Sequence, residues 1–171
     1  MLKTTLCYLK KNDHILMLYR NKKENDPCQG KWVGIGGKFE AGEDAEQCLL
    51  REVYEETGLK LCDYHFHGIV HFKSDRLPDE DMYLYSASSW CGEDLFAYAP
   101  CLEECPEEDK KNTAEKSFSC SEGTLCWIPM DKVLDLNLWE GDRYFLEPLL
   151  NGDSEISMTC RYEGDRLIEV Y

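Results

Sequence analysis

Glu52, Glu55 and Glu56 are the residues most able to do chemistry, because their spacing gathers three carboxylates on one helical patch. At 100° per residue, Ala45, Cys48 and Leu49 define one face of a helix over 44–57. That stripe should continue with apolar residues at 52, 55 and 56, but it carries the three acids instead. Leu50, Val53, Tyr54 and Thr57 form a second, mostly apolar side. Crowded carboxylates repel one another unless a counter-charge is supplied. Hard divalent cations, Mg²⁺ above all, supply it through carboxylate, water and phosphate oxygens. Arg51 can orient a carboxylate with its planar fork, and Glu43 stands at the entry to the helix.

These side chains need a rigid frame. Asp44 with Gln47 three residues later predicts a capped helix start, and Gly58 predicts its end. Upstream, Trp32-Val33-Gly34-Ile35 reads as a short strand running into Gly36-Gly37, where glycine lets the backbone approach a ligand or offer a carbonyl to a metal. Residues 4–9 and 14–20 read as strands about a turn at 10–13, and 21–31 as a loop. Residues 61–73, 82–90 and 122–128 read as further strands. A short helix is expected from Pro129 to Leu134, a longer one over 141–151, and a closing hairpin over 155–162 and 166–170. Residues 92–120 read as an inserted loop with an acidic cluster at 103–109. Strands mixed with two or three helices, without βαβ alternation, predict an α+β mixed-sheet sandwich in one domain spanning 1–171.

Charge and composition narrow the partners. The chain has 171 residues and a net charge of −15, which disfavours polymeric nucleic acid but admits a small nucleotide escorted by divalent cations. No apolar run is long enough to span a membrane, and the start lacks a signal-peptide pattern, so a cytoplasmic location is expected. The ten cysteines are expected to be reduced, with Cys7, Cys48 and Cys62 inside apolar patterns. Cys101, Cys105, Cys120 and Cys126 lack paired metal-binding spacing. His65, His67 and His71 could face one side of a strand, but no fourth zinc ligand is evident. The oligomeric state stays open.

The segment 37–59 matches G-x5-E-x7-R-E-U-x-E-E-x-G-U, with U aliphatic, at Gly37, Glu43, Arg51, Glu52, Val53, Glu55, Glu56, Gly58 and Leu59. It therefore resembles the Nudix hydrolases. The resemblance implies the Nudix fold, a mixed β-sheet sandwiched between helices (α/β/α), and Mg²⁺-dependent hydrolysis of a phosphoanhydride bond, with Mn²⁺ as an alternative cation. It implies metal binding by Glu52, Glu55, Glu56 and the Gly36 carbonyl, and an organising role for Glu43 and Arg51. A carboxylate takes the proton of the attacking water. Glu55 and Glu122 are the candidates, and an ordinary strand-end acid is an equal reading of Glu122.

The run Gly30-Lys31-Trp32-Val33-Gly34-Ile35-Gly36-Gly37-Lys38 resembles the MutT-like branch that cleaves 8-oxo-dGTP to 8-oxo-dGMP and pyrophosphate. The segments Glu122–Trp127 and Leu138–Asp142 are similar to that branch too. Trp32, Gly37, Lys38, Trp139 and Asp142 are the implied substrate contacts, and Tyr144 and Phe145 offer further stacking surfaces. Two positions depart from the animal-type pattern: Val33 stands where an Asn reads the base, and Gly141 precedes a single Asp142 where two acids adjoin. Another nucleoside diphosphate-linked substrate is the alternative. A non-catalytic nucleotide-binding module is disfavoured, because every box acid is retained.

Overall fold

The computed structural model describes residues 1–92 and 118–171. The expected cysteines at 101 and 105 and the acidic cluster at 103–109 lie outside them.

Strand β1 (Leu2–Lys11) is the axis of the sheet. It turns through Asn12 and Asp13 into β2 (His14–Tyr19). The next strand is interrupted at Gly34, giving β3 (Trp32–Val33) on β2 and β4 (Ile35–Lys38) on β1. Helix α1 (Ala45–Thr57) follows, with Asp44 and Gln47 forming the reciprocal capping box and Gly58 closing it at φ 74°. Long strands β5 (Lys60–Ser74) and β6 (Glu80–Cys91) pair antiparallel, and β6 runs parallel to β1. Beyond residue 117 come β7 (Phe118–Ser119), β8 (Thr124–Pro129), a 3₁₀ turn at Val133–Asp135, α2 (Asp142–Leu150), β9 (Met158–Glu163) and β10 (Arg166–Val170). The order is β10-β9-β5-β6-β1-β2-β8-β7, with parallel pairs β1/β6 and β5/β9 among antiparallel ones. The mixed sheet expected from the sequence is present. The expected insertion is shorter at its end, since Phe118–Ser119 already pair with β8.

Period-two side-chain alternation distributes the core over two faces. Cys7, Leu9, Leu16, Leu18, Ile35, Leu125 and Trp127 point to α1, where Leu49 and Val53 meet them. Tyr8, Ile15, Met17, Cys126 and Ile128 point to α2, where Phe145, Leu146 and Leu149 meet them. Both faces of β2 are covered, which is why its sequence is a continuous apolar run. Each fully buried Leu or Val stabilises the fold by about 1.5–3 kcal/mol relative to exposure.

Four sequence expectations need correction. Leu50 and Tyr54 are exposed, because α1 packs on the sheet along one stripe only. Phe145 is fully buried in the α2 core, so it presents no ring to a ligand, whereas Tyr144 is exposed. Cys62 is exposed, turned out by an irregularity in the β5/β6 ladder between Leu61 and Asp63. The three histidines do not form one cluster: the His65 and His67 rings meet edge to face at 4.8 Å at the ladder irregularity between Phe66 and Gly68, while His71 Nδ1 lies 2.6 Å from Asp81.

Candidate active site

Arg51 is the organiser of the box. Its Nε donates to Glu43 Oε1 at 2.6 Å and its Nη2 to Glu43 Oε2 at 2.9 Å, a two-pronged carboxylate grip. Nη2 also donates to the Lys38 carbonyl at 3.0 Å, and Nη1 reaches Glu52 at 2.7 Å and Glu55 at 3.2 Å. One guanidinium thus fastens the end of β4, the helix entry and two helix acids together. The Arg51 hydrogen bonds, with a further one from the Glu40 backbone N–H, push the Glu43 carboxyl down to about 2. Glu43 first, and then Glu52, hold Arg51 well above its ordinary value, although burial opposes them.

Glu56 has the opposite environment. It is 8% exposed, and its Oε2 is buried without a hydrogen-bond partner. Burial, then repulsion from Glu52 and Glu122, pushes its carboxyl up to about 8. Glu52 is raised as well, by burial first, although Arg51 opposes the shift. Glu55 is the outlying acid, with its side chain 54% exposed.

Glu122 stands before β8 and is pinned by cations from the loop after β2. Arg20 Nη2 lies 3.0 Å from its Oε2, and Lys23 Nζ bonds its Oε1. Asp26 in turn accepts from Arg20 Nε at 2.7 Å. Arg20 and Lys23 were not among the expected site residues. The only local signal was an arginine closing the apolar strand 14–20.

Gly36 and Gly37 fit their places through close approach. A Cβ at Gly36 would overlap the Thr5 carbonyl oxygen, and one at Gly37 would overlap the Glu52 carboxylate.

The expected substrate contacts lie mainly on the α2 face. Trp32 is buried, its ring 5.0 Å from the Tyr19 ring, and its backbone N–H donates to the Asn137 carbonyl at 3.0 Å. Lys31 Nζ sits 5.2 Å from the Trp139 ring centroid and donates to Asn137 Oδ1 at 3.1 Å. Tyr162 meets Trp139 edge to face, and its hydroxyl oxygen accepts from the Gly141 N–H at 2.7 Å. That bond fixes the start of α2, where no side chain caps the helix, and so fixes Asp142. Asp142 is buried, and burial with repulsion from Glu80 pushes its carboxyl up to about 7. Glu80, also unanticipated, accepts from Thr4 Oγ1 at 2.5 Å and is raised by burial. Lys38 is exposed at the end of β4, close enough to Glu80 to oppose that shift.

The donor set fits a hard cation. Glu56 carries a buried carboxylate oxygen lacking a partner, and it lies in the fields of three more carboxylates, Glu52, Glu122 and Glu55. Among the described residues no three His, Cys, Asp or Glu side chains stand close enough together to hold one ion. As placed, Arg51 holds Glu52 and Glu55, and Arg20 with Lys23 holds Glu122. No helix among the described residues is long and apolar enough to cross a membrane.

Known proteins are similar in sequence and fold. The NUDIX domain profile matches residues 2–149. The chain is 26% identical over 164 residues to the uncharacterised Nudix hydrolase YvcI of Bacillus subtilis, covering 94% of this chain and 86% of that one. It is 27% identical over 122 residues to the oxidised purine nucleoside triphosphate hydrolase of Mus musculus, covering 71% of this chain and 64% of that protein. The crystal structure of a mutator MutT protein from Bacillus halodurans aligns with a TM-score of 0.74 at 26% identity, covering 100% of this chain and 97% of the other. Profile, fold and the Arg51-centred site agree: the chain belongs to the NUDIX domain family and is a phosphohydrolase acting on phosphoanhydride bonds of nucleotides.

Proposed function

We propose that the protein is a Mg²⁺-dependent diphosphatase of oxidised purine nucleoside triphosphates, converting 8-oxo-dGTP to 8-oxo-dGMP and pyrophosphate. The observation that carries the reading is Asp142. Its carboxyl is buried, and its backbone N–H donates to the Trp139 carbonyl at 3.1 Å, so one turn at the start of α2 carries both an acid suited to hydrogen-bond a purine edge and an indole suited to cover its face. The mouse relative, named for oxidised purine nucleoside triphosphates, lends support.

Glu52 and Glu56, with Glu55 and the Gly36 carbonyl, would hold the cation, and Mn²⁺ fits the same oxygen donors. When bound, the cation supplies neutralisation of the polyphosphate and acidifies water at the site. Arg51 and Glu43 are positioning residues that keep β4 and α1 in register. Glu55, the most exposed box acid and held by one 3.2 Å contact, accepts the proton of the attacking water. Glu122, fixed by Arg20 and Lys23, adds negative charge opposite Glu56. Lys38 and Gly37 line the substrate's path at the end of β4, and Trp32 and Trp139 bound the base.

One observation favours a second reading, another nucleoside diphosphate-linked substrate. Val33 packs against the α1-side core and offers the base no hydrogen bond. A panel of 8-oxo-dGTP, dGTP, a dinucleoside polyphosphate and a nucleotide sugar, with Mg²⁺ and products identified by mass, separates the two. The first reading requires 8-oxo-dGMP and pyrophosphate from the preferred substrate. It fails if 8-oxo-dGTP is turned over no better than dGTP.

A further inference from the structure

The two exposed cysteines among the described residues are Cys62 and Cys91, and they touch. Their sulfurs are 3.1 Å apart, across the open end of the β5/β6 pair. The register explains the meeting. Lys60 pairs with Cys91, Leu61 with Trp90 and Asp63 with Ser89, so Cys62 is the extra residue of a bulge and its side chain leans toward Cys91. The other described cysteines are buried or half-buried: Cys7, Cys48, Cys126 and Cys160 are inside, and Cys28 and Cys120 are partly covered.

A disulfide needs its sulfurs about 2.05 Å apart. From 3.1 Å on two exposed side chains, closure requires a small adjustment of each rotamer and no separation of strands. Thiolate character, solvent access and a neighbouring second thiol direct oxidation to one site; Cys62 and Cys91 supply the last two, while their mutual hydrogen bond raises the Cys62 thiol.

We propose that Cys62 and Cys91 form an oxidant-reactive dithiol, a modification site that takes peroxides and closes to an intramolecular disulfide. The thiolate of one cysteine attacks a peroxide oxygen. The O–O bond breaks, one oxygen leaves as water, and the sulfur becomes a sulfenic acid. The second thiolate then attacks that sulfur, the S–S bond forms, and hydroxide leaves and is protonated to water. Two thiols lose two electrons in all, and hydrogen peroxide gains them.

The bond would lie beside the end of the acid-bearing helix. Gly92 packs on Gly58 and Leu59, with the Gly58 carbonyl 3.2 Å from the Cβ position of Gly92. Oxidation therefore ties β5 to β6 where they abut the C-terminus of α1.

The test uses the full-length reduced protein, hydrogen peroxide at stoichiometric and excess levels, maleimide quenching and non-reducing peptide mapping. The expected product is a linked Cys62–Cys91 peptide, lighter than its two thiol parts by two hydrogen atoms and reversed by dithiothreitol. It should form before Cys28 or Cys120 reacts. The melting temperature should rise by on the order of 5 °C. Cys62→Ser and Cys91→Ser should each abolish the link and the rise, with basal turnover unchanged. The proposal is overturned if both thiols stay open to maleimide once Cys28 or Cys120 is modified. It is equally overturned if either cysteine links instead to Cys101, Cys105 or a second chain.

Discussion

The backbone of Gly37 lies directly against the carboxylate of Glu52, so close that a methyl group on Gly37 would collide with all three atoms of that group. The first prediction follows from this packing. Gly37→Ala should displace Glu52, lower kcat about 10–100-fold and raise the Mg²⁺ concentration needed for half-maximal rate. The fold should survive, so circular dichroism and thermal melting near wild type would attribute the loss to the displaced acid. An unchanged Mg²⁺ titration would remove Glu52 from the metal site.

Arg51→Lys keeps a positive charge but loses the two-pronged grip on Glu43 and the simultaneous reach to the Lys38 carbonyl. Turnover should fall roughly 10-fold or more, as expected when positioning is lost. The mutant's acid stability should change too. Glu43 has a folded value near 2, below its unfolded one, so it favours the fold above the ordinary carboxylate range and that contribution fades as pH falls toward 2. Melting curves from pH 2 to 5 should show a smaller pH dependence in Arg51→Lys than in wild type.

Glu56 works in the opposite direction. Its folded value near 8 lies above its unfolded one, so the folded chain holds the proton more tightly. Without metal, stability from this group is complete below the ordinary carboxylate range and is lost as pH rises through about 8. Glu56→Gln should therefore melt on the order of 5 °C above wild type at pH 8 in chelator, with little difference at pH 4. It should also lose Mg²⁺-dependent turnover by about 100-fold or more. Retained turnover would sink the site assignment.

Asp142 tests the base pocket. Asp142→Ala should reduce kcat/KM for 8-oxo-dGTP by about 10–100-fold, the scale of a lost buried hydrogen bond to a polar partner, and affect dGTP less. Wild-type KM for 8-oxo-dGTP should inflect near pH 7, where this carboxyl changes from donor to acceptor. Asp142→Asn should remove the inflection. Equal losses for both nucleotides would show that Asp142 supports the fold and does not read the base.

Much of this was legible in local sequence. The capping box, the Gly58 stop and the glycines before the helix depend on neighbours a few residues apart, so α1 and its acids could be placed in advance. The Arg20–Glu122 and Lys23–Glu122 contacts join residues about a hundred positions apart, and no local pattern encodes them. Glu80 hid in the polar run Pro78-Asp79-Glu80-Asp81, which reads as a turn although Glu80 is the first residue of β6. Period counting also broke at the bulges. One extra residue near Cys62 reversed the side to which that cysteine points, and another falls at His67 between Phe66 and Gly68. The second apolar side of α1 is split, Val53 buried and Leu50 and Tyr54 exposed, since helical periodicity identifies an apolar residue without saying what covers it.

The short segment from Trp32 to Gly37 sets the spacing between the α2-side core and the acids of α1. Trp32 points to one side of the sheet, while Val33, Ile35 and Gly37 point to the other. Removing or adding a single residue in that interval would swap the two directions, sending the indole toward the acidic helix or pulling the glycine off Glu52. Substitutions within the interval can change which side chains each face carries, but its length is set by the two-residue alternation of extended backbone on either side of Gly34.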